Sequence, residues 1–158
     1  FPTSGFFKPA YLSFGPGLLW KKNDNLSINF SPLTPKFTFL SGEVFTYNSD
    51  TVEYDSSNDV KTYGVDPGES YLFELGLNIR AYYKLDIMKN INIENIFNVF
   101  SDYLDKPQNV DINYTMNVVM KINDVFSTNL TFQTIYNDNS YSGFQIREVF
   151  GLGVNVKL

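Results

Sequence analysis

Any chemistry in this chain falls to carboxylates, ammonium and guanidinium groups, hydroxyls and amides, because its 158 residues include neither histidine nor cysteine. Without imidazole there is no Ser-His-Asp or Cys-His nucleophile, no imidazole zinc site and no histidine acid–base step. Without thiols there are no disulfides, thiolate ligands or thiolate nucleophiles. A carboxylate or Ser-Lys scheme remains. Glu74 and Asp86 lie twelve residues apart on what reads as one strand, too far to cooperate, and only Glu94 can approach one of them across a turn. The pattern points away from an enzyme and supplies no cofactor or metal site.

Two groups of polar residues stand out. Glu74, Asn78, Arg80, Lys84, Asp86, Glu94, Asn113, Asn117, Gln133 and Arg147 fall on the polar side of alternating segments. A row of mixed charges and amides suits a wet or hydrogen-bonded barrel lumen, as interior ion pairs or as the lining of a polar pore. The stretch 41–70 carries Glu43, Asp50, Glu53, Asp55, Asp59, Asp66 and Glu69 against Lys61 alone. Oxygen ligands in that number could hold calcium, but the EF-hand spacing is missing. The expectation is an acidic solvated loop, long enough to contact a partner or fold over a barrel mouth. A net charge of −5 and a pI near 4.6 argue against nucleic acid as a partner.

The elements that position these residues are strands. Aromatics make up 17% of the chain and charged residues 18%, below the roughly 25% charge of soluble domains, which favours strands with a partly apolar exterior. No apolar run reaches the length of a membrane-spanning helix, so a membrane role would require a barrel. Period-two alternation recurs throughout. Residues 71–87 place Tyr71, Phe73, Leu75, Leu77, Ile79, Ala81, Tyr83, Leu85 and Ile87 against polar neighbours. That run is long beside the usual strand of about 5–6 residues. Met116 and Val118, Leu130 and Phe132, and Leu152 and Val154 mark the apolar sides of the last three segments. Leu12, Phe14, Leu18 and Trp20 read as one side of a first strand; Leu26, Ile28 and Phe30 follow, until Pro32 and Pro35 shift the register to Phe37 and Phe39. That shift predicts a bulge, since proline cannot donate to a ladder. The segment 91–103 alternates with four exceptions, Asn95, Ile96, Phe100 and Ser101.

Alternation alone leaves open whether the apolar side faces inward, as in a soluble barrel, or outward, as in a membrane barrel. Strand lengths of about 11–17 residues, an amide-rich polar face, and Tyr71, Tyr103, Tyr136, Phe144 and Trp20 near strand ends favour outward. The apolar set Leu75, Leu77, Ile79, Met116, Val118, Leu130, Phe132, Leu152 and Val154 is then lipid-facing. Glu148 shares that parity and is expected at the outer interface or in a bulge. Short turns at 22–25, 88–90 and 123–125 alternate with longer links at 41–70, 104–109 and 137–143, the layout of outer-membrane barrels. Seven strands are counted. Bacterial barrels have an even number, so an upstream strand is expected, the alternative being an irregular eighth strand within residues 1–9.

The segments FKPAYLSFGPGLLWKKNDNLSINFSPLTPKFTF (7–39), YGVDPG (63–68), KNINIENIFNVFSDY (89–103), PQNVDINY (107–114), IYNDN (135–139) and QIREVFGLGV (145–154) resemble a Bacteroidota family described as a domain of unknown function and regarded as outer-membrane barrels. The chain departs from it at Pro35, Pro16 and Leu158, where Gly, Leu and Phe are expected. The resemblance implies a longer protein with strands upstream of Phe1 and supplies no catalytic residues.

The expectation is therefore an all-β, antiparallel up-and-down transmembrane β-barrel of a bacterial outer membrane. Residues 1–158 would form a single barrel domain, the C-terminal part, with about seven strands. Its partners would be the lipid bilayer and other outer-membrane proteins, and its role that of a non-catalytic structural or accessory subunit. The alternatives are a small porin-like channel or a soluble secreted β-barrel that binds an apolar ligand.

Overall fold

A computed structural model of the chain describes residue 6 and residues 8–137 and 141–154, with backbone only at 141 and 142. Every regular element among them is a strand: β1 (Ala10–Ser13), β2 (Leu18–Asn23), β3 (Leu26–Phe39), β4 (Phe45–Asn48), β5 (Glu53–Ser56), β6 (Tyr71–Met88), β7 (Ile91–Asp102), β8 (Val110–Lys121), β9 (Phe126–Asn137) and β10 (Tyr141–Val154). The main sheet runs β1-β3-β6-β7-β8-β9-β10, with β2 also paired to β3, and all pairings are antiparallel.

β1 and β2 pair with opposite halves of β3, so together they fill one strand position, and the sheet is seven positions wide. The single strand expected from Tyr11 to Trp20 is thus broken at residues 14–17. The break has a local cause. Pro16 cannot donate to the ladder, and it lies opposite the bulge where β3 slips register between Ser31 and Thr34, at Pro32. The break also brings Gly15 against the Leu33 carbonyl, where a Cβ would collide with backbone. The bulge expected from the two prolines is present.

The sheet is curled. Lys36 on β3 and Asp111 on β8 are three strand spacings apart, about 14 Å in a flat sheet, yet the Lys36 ammonium lies 3.3 Å from the Asp111 carboxylate. The face that carries them is therefore concave, and the molecule is a half-barrel. Among the described residues β10 does not pair with β1 or β2, so both edges are open.

At one end the strands turn tightly. The Asn23 side chain accepts from the amide of Asn25, and that of Asn123 from the amides of Val125 and Phe126. These Asx turns reverse the chain without glycine. Hydrogen bonds from Lys21 and Lys121 hold the carboxyls of Asp24 and Asp124 below the usual range.

At the other end the 41–70 connection is folded rather than merely solvated. β4 and β5 form a hairpin, and Val44 and Val65 pack with Leu40 into a small buried cluster against Leu72 and Tyr63. The Val44 amide donates to the Ser57 hydroxyl and the Ser57 amide to the Val44 carbonyl.

Gly76 lets β6 approach β7. A Cβ there would overlap the Ser101 carbonyl, which is backbone and cannot swing away. We expect Gly76→Ala to destabilise the fold by about 1–3 kcal/mol, read as a lower urea midpoint with an unchanged m-value.

Candidate functional site

The strand registers place the alternating-segment polar residues, from Glu74 to Arg147, on the concave face. Asn78, Arg80 and Lys84 face Phe100, Asn98 and Glu94 across the β6–β7 ladder; Asn113 and Asn117 follow on β8, Gln133 on β9 and Arg147 on β10. Asp86 and Glu74 have the same parity on β6. The apolar set Leu75, Leu77, Ile79, Met116, Val118, Leu130, Phe132, Leu152 and Val154 takes the convex face. Glu148 lies among it, opposite Phe132 in an unbroken register; the irregularity in β10 falls between Tyr141 and Gln145, so no bulge removes this carboxylate from the convex side.

The four exceptions on β7 are not register slips, since that strand pairs continuously with β8. Phe100 is a buried ring on the concave side, 4.7 Å beneath the Lys36 ammonium. Asn95 is a convex amide that accepts from the Tyr114 hydroxyl at 2.8 Å and donates to the Tyr83 carbonyl at 3.3 Å. Ser101 donates to the Pro107 carbonyl at 2.7 Å.

Lys36 is the centre of the concave site, and reading the sequence did not select it. Its ammonium bridges Glu74 at 2.9 Å and Asp111 at 3.3 Å while resting on the Phe100 ring. Asn137 donates to the same Asp111 carboxylate at 3.1 Å. Glu74 is only 2% exposed, so this cation supports a carboxylate that could not be left charged alone. An interior ion pair was expected for Glu74, but its partner comes from β3 rather than from Arg80, Lys84 or Arg147. Glu94, opposite Lys84 in register, accepts from the Tyr82 hydroxyl at 3.3 Å. Farther along, amide and hydroxyl side chains pair across strands: Thr131 donates to Asn117 at 2.8 Å and Gln133 to Asn113 at 3.2 Å.

Three cavities lie along this face. The one under the 41–70 connection has a volume of about 690 Å³; its wall comes from β1, β3, β6, β9 and β10 and its roof from Thr46, Lys61, Thr62 and Tyr63. A smaller space of about 220 Å³ beside Lys36 and Asp111 shares Lys36, Ile135 and Asn137 with it, and Ser13, Thr34, Asn78 and Asn98 with a third, of about 510 Å³, near Arg80. The connection thus folds over the mouth, one of the two behaviours its length allowed. Its acidic residues are dispersed along the hairpin and turns. Asp55 accepts from Asn48, Glu43 from Ser56, and Asp66 lies 3.5 Å from Lys61. Among the described residues no three metal-binding side chains converge.

The convex face carries exposed apolar residues from edge to edge, including Leu12, Leu18, Trp20, Phe30, Phe73, Leu85, Phe97, Leu130, Phe144, Ile146, Phe150, Leu152 and Val154. Phe37 is the hub of a ring cluster, its centroid 6.4 Å from that of Phe14, 5.9 Å from Phe39 and 5.0 Å from Phe73. Besides Asn95 and Tyr114, two more polar side chains on this side bond within the sheet. The Tyr103 hydroxyl donates to the Pro32 carbonyl at the β3 bulge, at 2.9 Å, and Thr128 donates to the Gly151 carbonyl at 2.8 Å. Compared with protein-family models, curated proteins and solved structures, the chain has no match.

Proposed function

We propose that this half-barrel is a membrane-spanning wall of a bacterial outer membrane, with its convex face against lipid and no catalytic role, acting as a structural or accessory subunit of an envelope assembly. The observation that supports this reading is where the apolar mass lies. Among the described residues the buried apolar side chains are only Leu40, Val44, Val65 and Phe100, whereas the outward side is a continuous apolar wall larger than soluble monomers leave open. A soluble barrel that stores an apolar ligand would have the opposite arrangement, with a greasy interior and a charged exterior.

The internal hydrogen bonds of Asn95, Tyr103, Tyr114 and Thr128 on the convex side support the same reading, because hydrocarbon offers no partner to an orphan donor or carbonyl. The twelve-residue strands β7, β8 and β9, at about 3.3 Å per residue and a tilt near 45°, rise roughly 28 Å, enough to cross an apolar band of about 25 Å. Among the described residues the edges at β1, β2 and β10 are unpaired, and in hydrocarbon such backbone is stable only with further strands alongside, whether from this protein or from a partner.

Membranes of cells expressing the protein, treated with a bilayer-restricted photoactivatable probe, provide the test. Phe132, Met116 and Leu152 are expected to be modified, Asn113 and Gln133 spared, and the protein kept in the membrane pellet through alkaline carbonate. Release by carbonate, or unmodified Phe132, Met116 and Leu152, would overturn the reading.

A further inference from the structure

We infer that the cavity roofed by the 41–70 connection binds a neutral polyhydroxylated ligand, a saccharide of one to three rings, through hydroxyls, amides and the rings of Tyr11 and Tyr63. The inference rests on the concave side alone and goes beyond the proposal made for the convex one.

Size comes first. At about 690 Å³ the space lies within the range of small-molecule sites, roughly 300–1,000 Å³, and it is covered by a folded connection. Charge comes second. Each cation that lines it already has a carboxylate partner: Lys36 has Glu74 and Asp111, and Lys61 has Asp66. Balanced cations give little pull on a phosphate or carboxylate, and the carboxylates, already engaged, give little on a polyamine. That leaves ligands recognised by direction rather than by charge.

The remaining groups are suited to such recognition. Gln145 presents both a donor and an acceptor, and the hydroxyls of Thr38 and Thr46 can do either, matching sugar hydroxyls, which also do both. Leu72 and Ile135 add apolar surface for the C–H faces of a pyranose. Tyr11 reaches the space from β1 and Tyr63 from the roof. Tyr63 has a φ of +52° and sits inside the reciprocal Thr62–Val65 backbone pair, with both N···O distances 3.0 Å. Tyr63 and Gly64 (φ +82°) are the two central residues of this tight turn, whose backbone requires positive φ at both, and the turn carries the Tyr63 ring to the cavity.

The test uses the purified chain in a detergent without a sugar headgroup. Glucose, maltose, cellobiose, lactose and maltotriose, with glucose 6-phosphate and spermidine as charged comparators, are screened by saturation-transfer NMR and titrated calorimetrically. At least one neutral saccharide is expected to bind at millimolar concentration or below. Tyr63→Gly, which keeps the backbone conformation accessible, and Tyr11→Ala should each weaken that binding about tenfold, with Trp20 emission unchanged to show that the fold persists. Three results would overturn the inference: no saturation transfer to any neutral saccharide, binding of the charged comparators alone, or unchanged affinity in both tyrosine variants.

Discussion

Replacing Lys36 by Met is expected to lower the unfolding free energy by about 3–5 kcal/mol, the cost of removing one partner from a buried ion pair. The side chain is replaced by one of similar length, so packing against Phe100 is largely kept and the change is mainly electrostatic. Two carboxylates then face each other across the concave surface, one of them nearly inaccessible to water. Asn137 still donates to Asp111, but Glu74 loses the ammonium 2.9 Å away. The double variant Lys36→Met with Glu74→Gln removes the stranded charge and should recover more than half of the loss. A coupling energy of that size is the signature of directly interacting groups. Urea titrations followed by the emission of the single Trp20 would show it. A single variant within 0.5 kcal/mol of the parent would mean that the cluster contributes little to stability, despite its geometry.

Lys36 also shows how far sequence reading can go. The faces are legible because strand parity is rigid: with Tyr71 to Ile87 as one run, every residue on it has a side, and neighbouring strands follow in the same way. The bulge was legible too, from Pro32, Pro35 and the shift to Phe37 and Phe39. The same shift implies that Lys36 and Thr38 turn to the polar side, so the signal for Lys36 was present but lay beyond a register slip. Its pairing with Asp111 could not be read, because it depends on curl: residues on β3 and β8 meet only when the sheet between them bends. Nor could the roof over the large cavity, since the burial of Val44 and Val65 beneath an acidic surface follows from how the hairpin closes back on Leu40 and Leu72. Asn95 and Ser101 looked like breaks in the pattern because alternation scores side chains singly. Each has a donor or acceptor on a neighbouring strand or loop that makes its convex position affordable.

An arginine scan along β8 should separate lipid from water on the convex side. Met116 lies midway along that strand, opposite Asn95 on β7 and Phe132 on β9, with Ile112 and Met120 toward its ends. If hydrocarbon covers this face, Met116→Arg is expected to cost about 2–4 kcal/mol, while Ile112→Arg and Met120→Arg, near the interfaces, cost about 0–1 kcal/mol. Thr115→Arg and Asn117→Arg, one residue either side of Met116 but on the concave face, should cost less than Met116→Arg because the groove there already holds amides and hydroxyls in a polar setting. An ordinary water-exposed surface predicts something different: substitutions there usually stay within about 0.5 kcal/mol whatever their position, so the profile would be flat and Met116 no worse than Ile112. A dry protein–protein contact would penalise all three convex sites with no dependence on distance from the strand centre. Only a bilayer yields a cost that peaks at Met116 and falls toward both ends, because the penalty for a guanidinium follows its depth in hydrocarbon, and a long side chain near an interface can reach back to water.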